Sequence, residues 1–279
     1  MTSINNIQII QANAFKALHE QPGMFVIPNP WDAGSARMLA NMGFAALATT
    51  SAGLAFSLGK PDGEGVVTRN EAIENARAIA AATELPVSAD LENGYGDSPE
   101  SCAEIILLAA GAGLVGASIE DATGRPDDPI YPFELSVERI KAAVEAARSL
   151  PFPFTLTARA ENLIHGRPDL KDTIRRLEAF ANAGADVLFA PGLNSRGEVE
   201  AVVKALAPKP VNVVLSAGLA GFGIDELSAL GIKRLSLGSA FARAAYGAFL
   251  GAAEEIRDKA AFTFAQRTIP YTKINDLLK

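Results

Sequence analysis

Ala183-Gly184-Ala185-Asp186-Val187-Leu188-Phe189-Ala190 holds the grammar of the whole fold in eight residues. A helical pattern over Leu170–Ala183 stops at Gly184, and an apolar run, Asp186–Ala190, begins almost at once. Glycine ends helices because it accepts the left-handed backbone there. A short, nearly continuous apolar run is how a parallel strand buried on both faces reads. The same arrangement recurs in Met42–Leu47 (MGFAAL) and Leu230–Leu237 (LGIKRLSL), with Gly43 and Gly231 as the stops.

Working outward, eight such runs appear: Met24–Pro28, Phe44–Thr49, Pro86–Asp90, Leu114–Glu120, Phe154–Arg159, Asp186–Ala190, Val211–Leu215 and Lys233–Leu237. Helical patterns separate or follow them: Ala33–Asn41, Arg69–Thr83, Pro99–Ala110, Ser136–Ser149, Leu170–Ala183, Ser195–Leu206, Ile224–Leu230 and Ser239–Ala261. Asp32 and Thr68 are placed to cap the first two, and Ser98-Pro99 puts proline at a first helical position. Eight strands alternating with eight helices predict an α/β fold, a (β/α)8 TIM-type barrel. An open doubly wound sheet is the alternative, but it usually has fewer strands. No low-complexity linker divides residues 1–279, so one domain is expected. Residues 262–279 form an extra C-terminal helical segment, packed on a neighbouring subunit or closing the bottom of its own barrel.

The 279 residues are 49% hydrophobic and 20% charged, too apolar for a disordered chain. The formal net charge of −7 argues against a nucleic-acid partner. The lone cysteine, Cys102, cannot form an internal disulfide, and it sits in a helical pattern as a core residue. Two histidines leave no His-rich zinc site. His19 reads as a surface residue of an N-terminal helix, and His165 follows the fifth strand, where it can reach the barrel mouth. The N-terminus, MTSINNIQIIQANAF, has no basic start before an apolar core, and Ile105–Ala117 is too short to span a bilayer. A soluble, cytoplasmic protein with no membrane partner is expected. Gly111–Gly116 matches GxGxxG but follows a helix and enters a strand, the reverse of a dinucleotide site, so no NAD is expected.

Barrel active sites lie at the C-terminal ends of the strands. Thr50, Ser51 and Gly53 follow the second strand, with Asp62 in the ensuing loop. Asp90 and Glu92 end the third, with Tyr95 in the turn beyond. Glu120 and Asp121 end the fourth, Arg159 and Glu161 the fifth, and Asn212 lies on the seventh. A single Asp at a strand end is usually a cap or an ion-pair partner. Several acids on one rim are costly together and point to a hard cation. Mg2+ fits, with Mn2+ as a possible substitute, held by one or two carboxylates with water and substrate completing the shell. Arg159 offers a planar fork for a carboxylate or phosphonate, or else it neutralises Glu120. Asp121 and Glu161 either support the site or serve the scaffold.

These residues carry a resemblance. NPWDAGSARMLANMGFAALATTSAGLA, SLGKPDG, ADLENGYGD, GASIED, TARAEN and LGIKRLSLGSAF fall in order from about residue 28 to about 241. The chain resembles the isocitrate lyase/phosphoenolpyruvate mutase superfamily. The resemblance implies a Mg2+-dependent barrel acting on 2-oxo acids, a small-molecule 2-oxo carboxylate as partner, and a homo-oligomer, dimer or tetramer, with exchanged C-terminal helices. It implies Asp62, Asp90, Glu92 and Glu120 as the metal cluster, Arg159 as the substrate-binding arginine, and Thr50, Ser51 and Gly53 as a carboxylate-binding turn. Arg159, Tyr95 and Glu120 are the candidate catalytic residues, and Thr50, Ser51, Gly53, Arg159 and Asn212 the candidate substrate-binding set.

Two departures shape the expected reaction. The usual Asp-x-Asp pair is Asp90-Leu91-Glu92 here. The loop after the fourth strand, EDATGRPDDPIYP, lacks the Lys-Lys-Cys-Gly-His signature of the lyases. Thr123, Gly124 and Arg125 stand in that loop, read as a lid. Without a loop base, decarboxylation of a 2-oxo diacid such as oxaloacetate leads, because CO2 leaves without one. C–P chemistry on phosphonopyruvate-type substrates and a non-catalytic 2-oxo acid-binding barrel stay open.

Overall fold

Each apolar run contains a strand: β1 (Phe25–Ile27), β2 (Leu47–Ala48), β3 (Val87–Asp90), β4 (Gly116–Glu120), β5 (Thr155–Arg159), β6 (Val187–Phe189), β7 (Val211–Val214) and β8 (Arg234–Ser236). The structure is a computed structural model that describes residues 6–279. Residues 1–5, the head of the stretch read above as no secretory signal, lie outside the described residues. All seven ladders are parallel, in the order β1-β8-β7-β6-β5-β4-β3-β2. With interleaved helices this is a (β/α)8 barrel.

The ring is nearly closed. Between β1 and β2 one backbone bond, Ala48 N–H to the Pro28 carbonyl at 3.1 Å, replaces a ladder. The buried Asn29 reinforces this seam. Its Nδ2 donates to the Thr49 carbonyl at 3.0 Å, and its Oδ1 accepts from the Leu237 and Gly238 amides, each at 2.9 Å.

The helices are α1 (Asn6–Glu20), α2 (Ala33–Ala40), α3 (Ser51–Ser57), α4 (Arg69–Ala81), α5 (Pro99–Gly111), α6 (Phe133–Arg148), α7 (Leu170–Asn182), α8 (Arg196–Leu206), α9 (Ile224–Ala229), α10 (Ala240–Lys259) and α11 (Tyr271–Leu277). Asp32, Thr68 and Ser98 cap α2, α4 and α5 through their side chains, and Pro99 opens α5. Gly43, Gly184 and Gly231 stop helices at φ of +85°, +106° and +84°. Gly111 ends α5 and Gly116 opens β4, so the GxGxxG run is a helix stop followed by close packing. A Cβ on Gly116 would stand 2.9 Å from the Phe15 ring of α1.

Three readings need correction. The segment after β2 is the helix α3, not a bare turn, because Thr50 accepts from the Gly53 amide and caps it. Helix α6 starts at Phe133 rather than Ser136. His19 is buried rather than on the surface, between the edges of Phe15 and Phe25 at 4.8 and 5.0 Å.

The C-terminal segment leaves the barrel by α10, which has one buried residue, Ala242. Phe249 and Leu250 are 67% and 55% exposed. Beyond it, α11 returns to α2 of the same chain: Arg37 Nη1 donates to the Leu278 carbonyl at 3.1 Å and Asn41 Nδ2 to Leu277 at 2.9 Å. No helix among the described residues is long and apolar enough to cross a membrane.

Candidate active site

The C-terminal ends of β3, β4 and β5 converge on one guanidinium. Arg159 donates from Nη1 to Asp90 Oδ1 at 2.8 Å and from Nε to Glu161 Oε1 at 2.9 Å, and its Nη2 lies 3.2 Å from Glu120 Oε2. Three carboxylates on one cation, Glu161 buried and Asp90 and Glu120 partly so, keep its proton firmly in place, against the opposing effect of burial. Arg159 does neutralise Glu120, as one of three partners. It has five N–H donors, so two remain for another ligand.

Asp90 is the hub of the acidic side. Its Oδ2 accepts from the Ser51 amide at 3.3 Å, and its Oδ1 also meets the Glu92 amide at 3.4 Å and Ser118 Oγ at 3.5 Å. Burial alone would raise its pKa, but Arg159 and these donors hold it below the ordinary carboxylate range. Its neighbours go the other way. Burial, then the charge of Asp90, raises Asp62. Burial, Asp90 and Asp62 push Glu92 up to about 7. Burial holds Glu120 well above its ordinary value despite Arg159. These acids sit together with too little positive charge.

Glu92 and Tyr95 have φ of +46° and +59°, a region that non-glycine residues seldom occupy. Such backbone persists only where neighbours over-determine it. Arg139, buried on α6, does so by donating to the carbonyls of Asn93, Gly96, Asp97 and Ser98. Tyr95 Oη thereby reaches Glu92 Oε1 at 3.2 Å. Burial and that carboxylate keep the phenol neutral far into alkali. Asp121 accepts from the Glu161 amide at 2.8 Å and from Arg176 Nη1 at 3.0 Å, which places it beneath the site as scaffold.

The candidate residues divide between two cavities. Asp62, Asp90, Thr50, Ser51, Arg159 and Asn212 line one of about 230 Å3 inside the barrel mouth. Glu92, Tyr95, Glu120, Thr123 and Gly124 line another of about 350 Å3, together with His165. Gly53 lines neither. A Cβ there would come within 2.6 Å of Thr50 Cγ2 and 2.8 Å of Trp31 Cβ, so its contribution is the fit of the turn. Arg125 also lines neither. It grips Asp97 with Nη1 at 2.9 and 3.0 Å, tying down a loop that Thr123 closes by donating to the Asp128 carbonyl at 2.5 Å. Sequence reasoning missed Arg234 and Arg243, both in the wall of the smaller cavity. The alternation Arg234-Leu235-Ser236 in a strand carried a signal for the first.

The phosphoenolpyruvate phosphomutase family profile matches residues 15–257. The chain belongs to the phosphoenolpyruvate phosphomutase family. A solved chain from Burkholderia cenocepacia J2315, provisionally assigned as a lyase or mutase, is 58% identical with a TM-score of 0.94, covering 98% of this chain and 96% of its own. An uncharacterized protein of Mycobacterium tuberculosis (strain CDC 1551 / Oshkosh) is 32% identical over 94% of each chain. The oxaloacetate decarboxylase of Bradyrhizobium diazoefficiens (strain JCM 10833) is 34% identical over 66% of this chain and 64% of that enzyme.

Members of the phosphoenolpyruvate phosphomutase family and its lyase relatives are generally Mg2+-dependent. The donor set here fits that ion. Among the described residues no three His, Cys, Asp or Glu side chains form a ready-made metal cage. Mg2+ wants none, since one or two carboxylates and several waters suffice. Burial first, and then the charges of neighbouring acids, raise Asp62, Glu92 and Glu120, and a cation among them would offset both effects.

Proposed function

We propose that this family member is a Mg2+-dependent lyase that cleaves the C–C bond beside the carbonyl of a small 2-oxo acid, with oxaloacetate decarboxylation as its leading reaction. The carrying observation is one cavity lined both by Asp62 and Asp90 and by Arg159, Arg234 and Arg243. A 2-oxo diacid needs both signs, a cation at its carbonyl end and positive donors at its anionic ends. The similarity to an oxaloacetate decarboxylase supports the choice.

Asp90 would hold the metal, with Asp62, Glu92 and Glu120 as the acids near it. When bound, Mg2+ supplies a Lewis acid beside the carbonyl, where negative charge develops. Arg159 keeps Asp90, Glu120 and Glu161 in register and offers its two spare N–H bonds to substrate. Thr50 and Ser51 position the carboxylate end, and Asn212 contributes a side-chain amide. Tyr95, neutral and donating its hydroxyl proton to Glu92, fixes that carboxylate from the second cavity, and a water returns the proton to the enolate carbon after CO2 leaves. The loop carrying Thr123, Gly124 and Arg125 shields the second cavity from water. The exposed apolar face of α10 is the contact through which copies of the chain form a dimer or tetramer.

The test is product release from oxaloacetate, phosphonopyruvate and 2-methylisocitrate, with and without Mg2+, beside Asp90→Ala. Metal-dependent pyruvate from oxaloacetate, lost in the variant, supports the reading. Turnover of phosphonopyruvate alone replaces it with C–P chemistry, which the family profile's own name keeps on the panel. Tight binding without turnover makes the barrel a binding protein.

A further inference from the structure

Three arginines line the smaller cavity: Arg159, Arg234 and Arg243. Arg159 is committed to three carboxylates, and Arg243 is exposed at the rim. Arg234 is different. It opens β8, one inward-facing position deeper than Ser236, and is 5% exposed. Every partner it has is neutral. Its Nε donates to Asn212 Oδ1 at 2.7 Å, its Nη2 to Thr157 Oγ1 at 2.9 Å, and its Nη1 meets His19 Nε2 at 3.3 Å.

His19 cannot balance that charge. Its Nδ1 lies 2.8 Å from the Phe15 carbonyl, which can only accept, so Nδ1 carries the proton and Nε2 the lone pair. The ring is neutral, and burial beside Arg234 keeps it so, pushing its pKa down to about 3. Burial and Arg159 lower Arg234 too, to about 9, which leaves it cationic at neutral pH. A buried guanidinium without a counter-charge is costly unless an anion arrives. The cavity that Arg234 lines is where one can arrive, and two of its N–H bonds are unused. Arg234 also locks the Asn212 amide. With Oδ1 held by Nε, Nδ2 is the donor, giving one bond to Ser236 Oγ at 3.1 Å and leaving one free.

We infer that the deep end of this cavity is an anion subsite that takes the distal carboxylate of a dicarboxylic substrate, with Arg234 as its cation and Asn212 as its neutral donor. The inference rests on the 2-oxo acid reading and narrows it. Monoacids such as pyruvate would leave the subsite unfilled, so the preferred substrate carries two acid groups and the remaining monoacid leaves easily. Arg234 is a specificity-determining residue in this scheme, distinct from the acids that would hold the metal.

The experiment is calorimetric titration of the Mg2+-loaded protein with 3,3-difluorooxaloacetate and with its 4-methyl ester. The pair differs in the distal charge and one methyl group, so the charge effect is read from how Arg234→Gln changes the preference, and the fluorines block enolisation. The wild type should prefer the diacid roughly 10- to 100-fold, the range of a charge-assisted hydrogen bond. Arg234→Gln should bring the diacid down to the ester's affinity and leave the ester unchanged. Arg234→Lys should keep part of the preference. Equal binding of the two probes by the wild type overturns the subsite, and so does an equal weakening of both in the variants. That comparison needs no variant, so a failure of Arg234→Gln to fold leaves it decisive. Failure of both probes to bind the wild type overturns the 2-oxo acid reading along with the subsite, whereas equal binding overturns the subsite alone.

Discussion

Arg159 Nη1 and Asp90 Oδ1 meet at 2.8 Å across the barrel mouth, from β5 and β3, with β4 and its Glu120 between them. The acid proposed to touch the metal is therefore set by a cation rather than by other acids. Arg159→Met would leave Asp90, Glu120 and Glu161 buried without their shared counter-charge. A loss of roughly 3–5 kcal/mol in urea unfolding is expected, the usual penalty for removing one partner of a buried pair. An unchanged midpoint would mean that the three acids do not depend on Arg159 for their burial.

Asp90→Asn should leave the fold in place and lower Mg2+-dependent turnover at least about 100-fold, since Asp90 is the acid proposed to hold the metal. Turnover within a factor of about three of wild type would remove Asp90 from that role.

The proposed place of Glu92 beside the metal ties metal binding to pH. Its pKa rises from 4.5 to about 7 in the metal-free protein, so the folded state binds a proton that the unfolded chain releases. Its contribution to stability therefore falls as pH rises from 4.5 through about 7. A cation reverses this by favouring the carboxylate. Thermal unfolding should show Mg2+ protecting more at about pH 8 than at about pH 5.5, and Glu92→Gln should flatten the difference. Equal protection at both values would detach Glu92 from the metal.

His19 acts with the opposite slope. Its pKa falls from 6.5 unfolded to about 3 folded. The unfolded chain takes up the proton first, so His19's contribution is complete above 6.5 and is lost as pH falls toward 3. Wild type should lose stability on acidification below about pH 6.5 faster than His19→Gln. Parallel curves in denaturant titrations would show that the ring takes up its proton as readily in the fold as in the unfolded chain.

Gly53→Ala tests the turn after β2. A methyl group there has to displace Thr50 Cγ2 or Trp31 Cβ, both closer than 3 Å. A cost of roughly 1–3 kcal/mol and weaker substrate binding are expected, as for overpacking elsewhere. Full activity would show that the turn adapts.

The α10 face can be tested without substrate. Phe249→Asp with Leu250→Asp should shift sedimentation toward the monomer while the barrel stays folded. An unaltered profile would place the contact elsewhere.

The strands were legible because a parallel strand covered on both sides must be apolar throughout, and Gly43, Gly184 and Gly231 mark where each preceding helix ends. Asp90, Glu120 and Arg159 were legible because strand ends point to the barrel mouth in every such fold. The division of the acids between two cavities was not, since it depends on how β3, β4 and β5 lean on Arg159. His19 misled for a related reason. Beside Lys16 and Glu20 it reads as solvent-facing, and only the closed barrel brings Phe25 and Arg234 against it. Helix α3 was missed because Ser51–Ser57 is short and its capping residue, Thr50, also suits a turn.

A hoop gives way where its ends are joined. This one is joined between β1 and β2, by the Ala48–Pro28 bond and by Asn29, whose one amide clasps Thr49 on one lip and Leu237 and Gly238 on the other. The lip that would swing outward carries Thr49, Thr50 and Ser51, the wall of the smaller cavity. Losing a clasp as small as one side-chain amide would thus spread the mouth of that cavity long before the rest of the ring felt the strain.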